Sequence, residues 1–131
     1  MSHLLDSNAV IALFEGAEGL VSQLKRHRPA GIALPSVVVH ELYFGAYASE
    51  RVGENAARVE RLRFEILPFD REDARVAGRI RAELRAVGTP IGPLDALIAG
   101  QAVARDLVLV TDNVREFARV DGLNAVNWLR S

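Results

Sequence analysis

Apolar positions along this chain fall in short blocks separated by polar, Gly or Pro breaks, and the period within each block predicts its element. His3–Leu5 is a short apolar strand stopped by Asp6-Ser7-Asn8, residue types that cap helices, and Val10, Ile11, Leu13 and Phe14 then carry a helical pattern. A second helix is expected over Gly19–His27, and Arg28-Pro29-Ala30-Gly31 breaks the chain before the short strand Ile32–Leu34. Pro35-Ser36 opens a helix through about Ala48, with Ser36 as its N-cap and Val37, Val38, Leu42 and Gly45 as its apolar face. Glu50–Phe64 reads as an Arg/Glu-rich helix and Ile66–Pro68 as a strand. Asp70 then caps a long helix to Val87, with the stripe Ala74, Ala77, Ile80, Leu84 and Val87. Gly88-Thr89-Pro90 ends that helix, and Pro93 in a first-turn position opens the apolar helix Leu94–Ala104. Leu107–Val110 is the clearest strand, Asn113 can cap a short helix through Phe117, and Ala125–Trp128 is expected as a last edge strand.

Strands alternating with helices predict an α/β fold with a mainly parallel sheet and helices on both faces. With no repeat, low-complexity tract or Gly/Ser linker, residues 1–131 are expected to form one domain. In such sheets ligands bind beyond the carboxyl ends of the strands. Four acids sit at the ends of, or within, apolar segments: Asp6 in HLLDSN, Glu41 in SVVVHEL, Asp95 in GPLDALIAG and Asp112 in LVLVTDN. An ionised carboxylate near a core costs several kcal/mol unless something neutralises it. A shared divalent cation would do so, and a set of hard carboxylate oxygens suits Mg²⁺ or Mn²⁺.

Each acid also has a plainer reading. Asp6 can serve as an N-cap, a role open equally to Ser7 or Asn8, and Glu41 can lie on a helix surface. Asp95 can simply favour the helix dipole, Asp112 can make an Asx-type turn, and Asn113 can cap the helix after it. Other catalytic vocabularies are missing: there is no GxxxxGK[ST], GxGxxG or HExxH, and His3, His27 and His40 stand at no metal-ligand spacing. Ser7 and Ser36 lack the flanking glycines of a nucleophile elbow. A receiver-like phosphorylation domain needs a late Lys, whereas Lys25 is the only one.

Composition narrows the class. The chain is 50% hydrophobic and has no cysteine, which removes disulfides and thiolate sites and fits a reducing compartment. No secretory pattern opens it and no run approaches the ~18 apolar residues of a membrane span, so a soluble cytoplasmic protein without membrane contact is expected. The formal charge of −1 gives no global field for nucleic acid. Arginine nevertheless dominates the cations and concentrates between Arg51 and Arg85, where most are expected to pair with Glu54, Glu60, Glu65, Glu72 and Glu83 and a few to touch a nucleic-acid backbone.

The segments LLDSN, LPSVVVHELYFGA and PLDALIAGQAVARDLVLVTDNVREFARVDGLNAVNW occur in order over nearly the whole chain. In these runs the sequence resembles the PIN-domain ribonucleases, specifically the VapC-type toxins of bacterial toxin–antitoxin pairs. Residues Arg51–Val87 match only in helical character. The resemblance implies a PIN-like three-layer α/β/α fold and a Mg²⁺-dependent endoribonuclease toxin, with Mn²⁺ as the other metal, cutting single-stranded or loop RNA in the bacterial cytoplasm. It also implies a VapB-like antitoxin, a homodimer and a toxin–antitoxin hetero-oligomer. The family's three core acids fall on Asp6, Glu41 and Asp95, with Asp6 and Asp95 holding the metal directly and Glu41 a water or second ion. The fourth position, one variable residue after Thr111, falls on Asn113, and Asp112 fills the variable slot. That departure keeps open a catalytically silent PIN-fold binding module, and a PIN-type nuclease of RNA processing is the other competitor.

Overall fold

The computed structural model describes residues 2–129. Among them, five strands form one sheet in the order β3-β2-β1-β4-β5, and every neighbouring pair is parallel. The strands are short: β1 His3–Leu5, β2 Ile32–Pro35, β3 Glu65–Leu67, β4 Val108–Val110 and β5 Ala125–Val126. Between them run α1 (Ser7–Phe14), α2 (Glu18–His27), α3 (Ser36–Tyr47), α4 (Val52–Glu60), α5 (Arg71–Ala86), α6 (Pro93–Ala104) and α7 (Val114–Phe117). Parallel neighbours need crossover connections, and the helices that supply them bury the sheet as the alternating pattern predicts. Leu4, Leu5, Leu34, Leu109 and Val110 are shielded on the strands, and Val10, Val38, Ile98 and Phe117 meet them from the helices. Each such side chain contributes about 1.5–3 kcal/mol by leaving water.

Several expected details differ. Pro35, not Ser36, occupies the N-cap of α3, with no side-chain capping bond. The buried face of that helix is Val38, Leu42 and Ala46, while Gly45 is exposed. The helix expected over Glu50–Phe64 is only Val52–Glu60. Asn55 Nδ2 donates to Ser49 Oγ, closing the turn before it, and after it the Arg28 guanidinium lies over the Phe64 ring and holds the chain on its way to β3. Strand β5 ends at Val126, because Asn127 turns aside to accept the Leu129 N–H.

The α5–α6 pair fixes the rest. Asp70 caps α5 as expected, in a reciprocal capping box with Asp73. The core stripe is Asp73, Val76, Ala77, Ile80 and Leu84, whereas Ala74 and Val87 face solvent. Asp73 lies among apolar side chains because Arg105 and Gln101 of the α6 end donate to it at 3.0–3.2 Å. Both also donate to the Pro68 carbonyl at 3.0 Å. Gly100 lets the two helices touch: a Cβ there would stand 2.5 Å from Ala77 Cβ. This contact sets the position of α6, and with it Asp95.

Candidate active site

Strands β1 and β4 end in register, Leu5 beside Val110, and the ladder continues one bond further, from the Asp6 N–H to the Val110 carbonyl at 3.1 Å. Asp6 and Thr111 therefore emerge side by side at the carboxyl edge of the sheet, where an open α/β sheet binds its ligands. Asp6 is itself the N-cap of α1, its Oδ1 accepting the Ala9 N–H at 2.9 Å. The cap reading holds, and the capping residue is also the one that stands at the carboxyl edge of the sheet. Burial pushes its carboxyl above the usual range; hydrogen bonds from the Thr111 hydroxyl and the Ala9 N–H oppose that, and the charges of Glu41 and Asp112 add to it. Thr111 is fully buried, and its hydroxyl oxygen accepts the Asn113 N–H at 2.9 Å, which ties the turn after β4 to the site.

Glu41 reaches the same edge from α3. Its Oε1 accepts the Ser7 hydroxyl at 2.8 Å, so the residue following Asp6 orients the second acid. Asp95 stands in the first turn of α6 behind Gly92 and Pro93. Its carboxyl is pushed up to about 6, first by burial and then by the negative charges of Glu116, Glu41 and Asp6. Three of the acids marked in the sequence therefore feel one another across three different elements.

Glu116 is the fourth, and sequence reasoning gave it no role. It lies on α7, accepts a hydrogen bond from Asn113 Nδ2, and faces the Gly92 N–H at 3.4 Å. A legible signal existed: Asn113 and Glu116 are three apart, neighbours on one helical face. Asn113 occupies the N-cap position of α7 but makes no side-chain capping bond, because its amide is turned to Glu116. Asp112 is exposed and accepts from Asn127 Nδ2 at 3.1 Å; its charge acts on Asp6 and is not among the influences on Asp95. The carboxylate that accompanies Asp95 is thus Glu116, reached through Asn113, and not Asp112.

The donor set fits a hard divalent cation: carboxylate oxygens whose charges already act on one another, with no soft ligand among them. Among the described residues no three His, Asp or Glu side chains converge closely enough, as they stand, to hold one ion. Binding therefore requires the carboxylates to draw together. The rings of His3 and His27 are engaged elsewhere, packing on Trp128 at centroid separations of 4.8 Å and on each other at 4.7 Å. His40 is exposed on α3.

The fold is a parallel α/β sheet with acids brought to its carboxyl edge, a class that binds ligands there. Residues 3–123 match the PIN domain family, and the chain belongs to it. It is 36% identical to the tRNA(fMet)-specific endonuclease VapC of Shigella flexneri, covering 98% of each chain. It is 34% identical to the ribonuclease VapC2 of Haemophilus influenzae, over 98% of this chain and 99% of that one. Among solved structures, DNA-bound VapBC from Salmonella typhimurium superposes with a TM-score of 0.92 at 36% identity, over 98% of both chains. This is a PIN-like α/β fold of the VapC type.

Proposed function

We propose that this VapC-type nuclease is the divalent-metal-dependent endoribonuclease of a toxin–antitoxin pair, acting on single-stranded or loop RNA in the bacterial cytoplasm. The observation that carries the reading is the raised carboxyl of Asp95, crowded by Glu116, Glu41 and Asp6 in a chain whose relatives are named ribonucleases. Asp6 and Asp95 would hold the ion, with Glu41 and Glu116 beside them. Bound there, Mg²⁺ or Mn²⁺ supplies neutralisation of the phosphoryl oxygens and activation of a water. The chain's own part is positional. Thr111 holds Asp6, Ser7 orients Glu41, which would in turn orient the attacking water, and Asn113 holds Glu116. Unstacked nucleotides suit so open an edge.

A VapB-type antitoxin follows from the VapBC complexes among the neighbours. A depression of about 420 Å³ lined by Ile11, Phe14, Leu42 and Val59 runs up to Ser7 and Glu41 and suits an apolar antitoxin segment. A toxin homodimer within that complex completes the proposal. Glu116 argues against the silent binding module, because it supplies a carboxylate where Asn113 departs from the family pattern.

RNA cleavage by the purified protein tests the reading. Cleavage is expected with Mg²⁺ or Mn²⁺, none in excess EDTA, and none from Asp95→Asn with unchanged secondary structure. Full activity in EDTA, or in Asp95→Asn, would overturn it.

A further inference from the structure

Between Arg51 and Arg85 the side chains of Arg51, Arg58, Arg75 and Arg79 have partners, while Arg61, Arg63, Arg71, Arg81 and Arg85 make no ion pair among the described residues. Arg51, Arg75 and Arg79 pair with Glu54, Glu72 and Glu83, and Arg105 pairs with Asp70 and Asp73. Arg28 and Arg58 lie over the rings of Phe64 and Phe14. Arg81 and Arg85 are exposed and make no ion pair among the described residues. One turn apart on α5, they line an open depression of about 370 Å³ with Gly78, Ala82, Pro90 and Ile91. No acid lines it. The neighbouring depression that contains Arg79 and Arg119 is countered by Glu83 and Asp121.

The chain links this depression to the acids. Ile91 ends it, and the next residue, Gly92, faces Glu116 through its N–H at 3.4 Å, while a Cβ at Gly92 would meet Asp95 Oδ2 at 3.2 Å. An RNA strand brought to four carboxylates is repelled by them. A bound cation relieves that at the phosphate being cut and does little for its neighbours, and a net charge of −1 supplies no general attraction. Two unpaired guanidiniums beside the site meet this need, because the planar fork matches phosphate oxygens bidentately. Gly78 and Ala82 keep the approach open, and Pro90 with Ile91 offers an apolar floor for a ribose or base.

We infer that Arg81 and Arg85 bind the phosphates flanking the cut, so that single-stranded RNA enters the active site over Ile91 and Gly92. This rests on the ribonuclease reading above. It makes the two arginines binding residues for substrate, separate from the groove proposed for the antitoxin.

The test compares wild type with Arg81→Gln/Arg85→Gln. A second pair, Lys25→Gln/Arg26→Gln on α2, removes the same charge elsewhere. Binding of a fluorescent single-stranded RNA is followed in EDTA over a salt series, and KM and kcat are followed with Mn²⁺. For the α5 pair the slope of log affinity against log salt should shrink by about 1.4, two phosphates at ~0.7 each. KM should rise about tenfold, with kcat at saturating RNA unchanged and the circular dichroism spectrum native. Arg81→Lys/Arg85→Lys should recover most of the slope, and the α2 pair should match wild type. An unaltered slope and KM in the α5 pair, or an equal loss in the α2 pair, would overturn the inference. So would loss of antitoxin binding with RNA binding intact, which would assign the surface to a protein. If wild type cuts no RNA, the functional reading fails, while the binding series still decides the arginines.

Discussion

The Ser7 hydroxyl donates to Glu41 Oε1 at 2.8 Å, so the first turn of α1 aims an acid carried by α3. A hydrogen bond to a charged group contributes about 1.5–3 kcal/mol. Ser7→Ala should leave the fold intact and cut kcat for RNA by roughly tenfold, consistent with loss of one such bond. Retention of full kcat would show that Glu41 needs no orientation.

Glu116 and Asp112 make opposed predictions. Glu116→Gln removes the largest charge acting on Asp95 and should impair cleavage more than Asp112→Ala does, since Asp112 is turned toward Asn127. Asn113→Ala should fall between them, because it frees Glu116 without removing its charge. Steady-state cleavage rates for the three variants check the order. A loss at Asp112 equal to that of Asp95→Asn would make Asp112 a metal ligand.

Much of this was legible in the chain. Asp6, Glu41 and Asp95 stand out because acids interrupt apolar segments, and the strand–helix alternation gives the sheet that gathers them. Glu116 was missed because it sits on a helix of only four residues, too short to show a period, where a Glu is ordinary; the Asn113 and Gly92 contacts distinguish it. The α5 stripe was misjudged for a related reason. Asp73 takes a core position that pattern alone gives to an apolar residue, and Arg105, thirty-two residues away in sequence, makes this possible.

That pairing is testable. Arg105→Ala would leave the buried Asp73 without its cation and held only by the Asp70 N–H and Gln101, and removing one partner of such a pair typically costs about 3–5 kcal/mol. Partial exposure of Arg105 places the expectation near the lower end, about 3 kcal/mol in urea unfolding. Gly100→Ala drives a methyl into Ala77 and should destabilise by about 1–3 kcal/mol. If both variants unfold at the wild-type midpoint, α6 is not held by this contact.

Stability without metal should depend on pH in a defined direction. The carboxyls of Asp6 and Asp95 are raised in the fold, so the folded chain binds protons more tightly than the unfolded one. Stability should therefore fall as pH rises from about 4, the unfolded carboxylate value, through about 6 for Asp95. For Asp73 burial acts upward, but the hydrogen bonds from Arg105, the Asp70 N–H and Gln101 outweigh it and lower the carboxyl. Its contribution is present above about 4 and is lost only in stronger acid. Melting temperatures in EDTA should decline between about pH 4 and 7, and less steeply in Asp95→Asn; a rise over that window would contradict the crowding of the four acids.

The most direct measurement of that crowding is the thermal melt of wild type and Asp95→Asn at neutral pH, each in EDTA and in Mn²⁺. Removing the Asp95 charge forgoes a helix-dipole contribution of only about 0.3–1 kcal/mol but relieves repulsion from Glu116, Glu41 and Asp6. Asp95→Asn should melt above wild type in EDTA. Mn²⁺ at a hundred times its Kd should stabilise wild type by about 2.7 kcal/mol, and the variant by less. If Asp95→Asn melts below wild type in EDTA and Mn²⁺ shifts neither protein, the carboxylates of Asp6, Glu41, Asp95 and Glu116 do not form one cation-binding cluster.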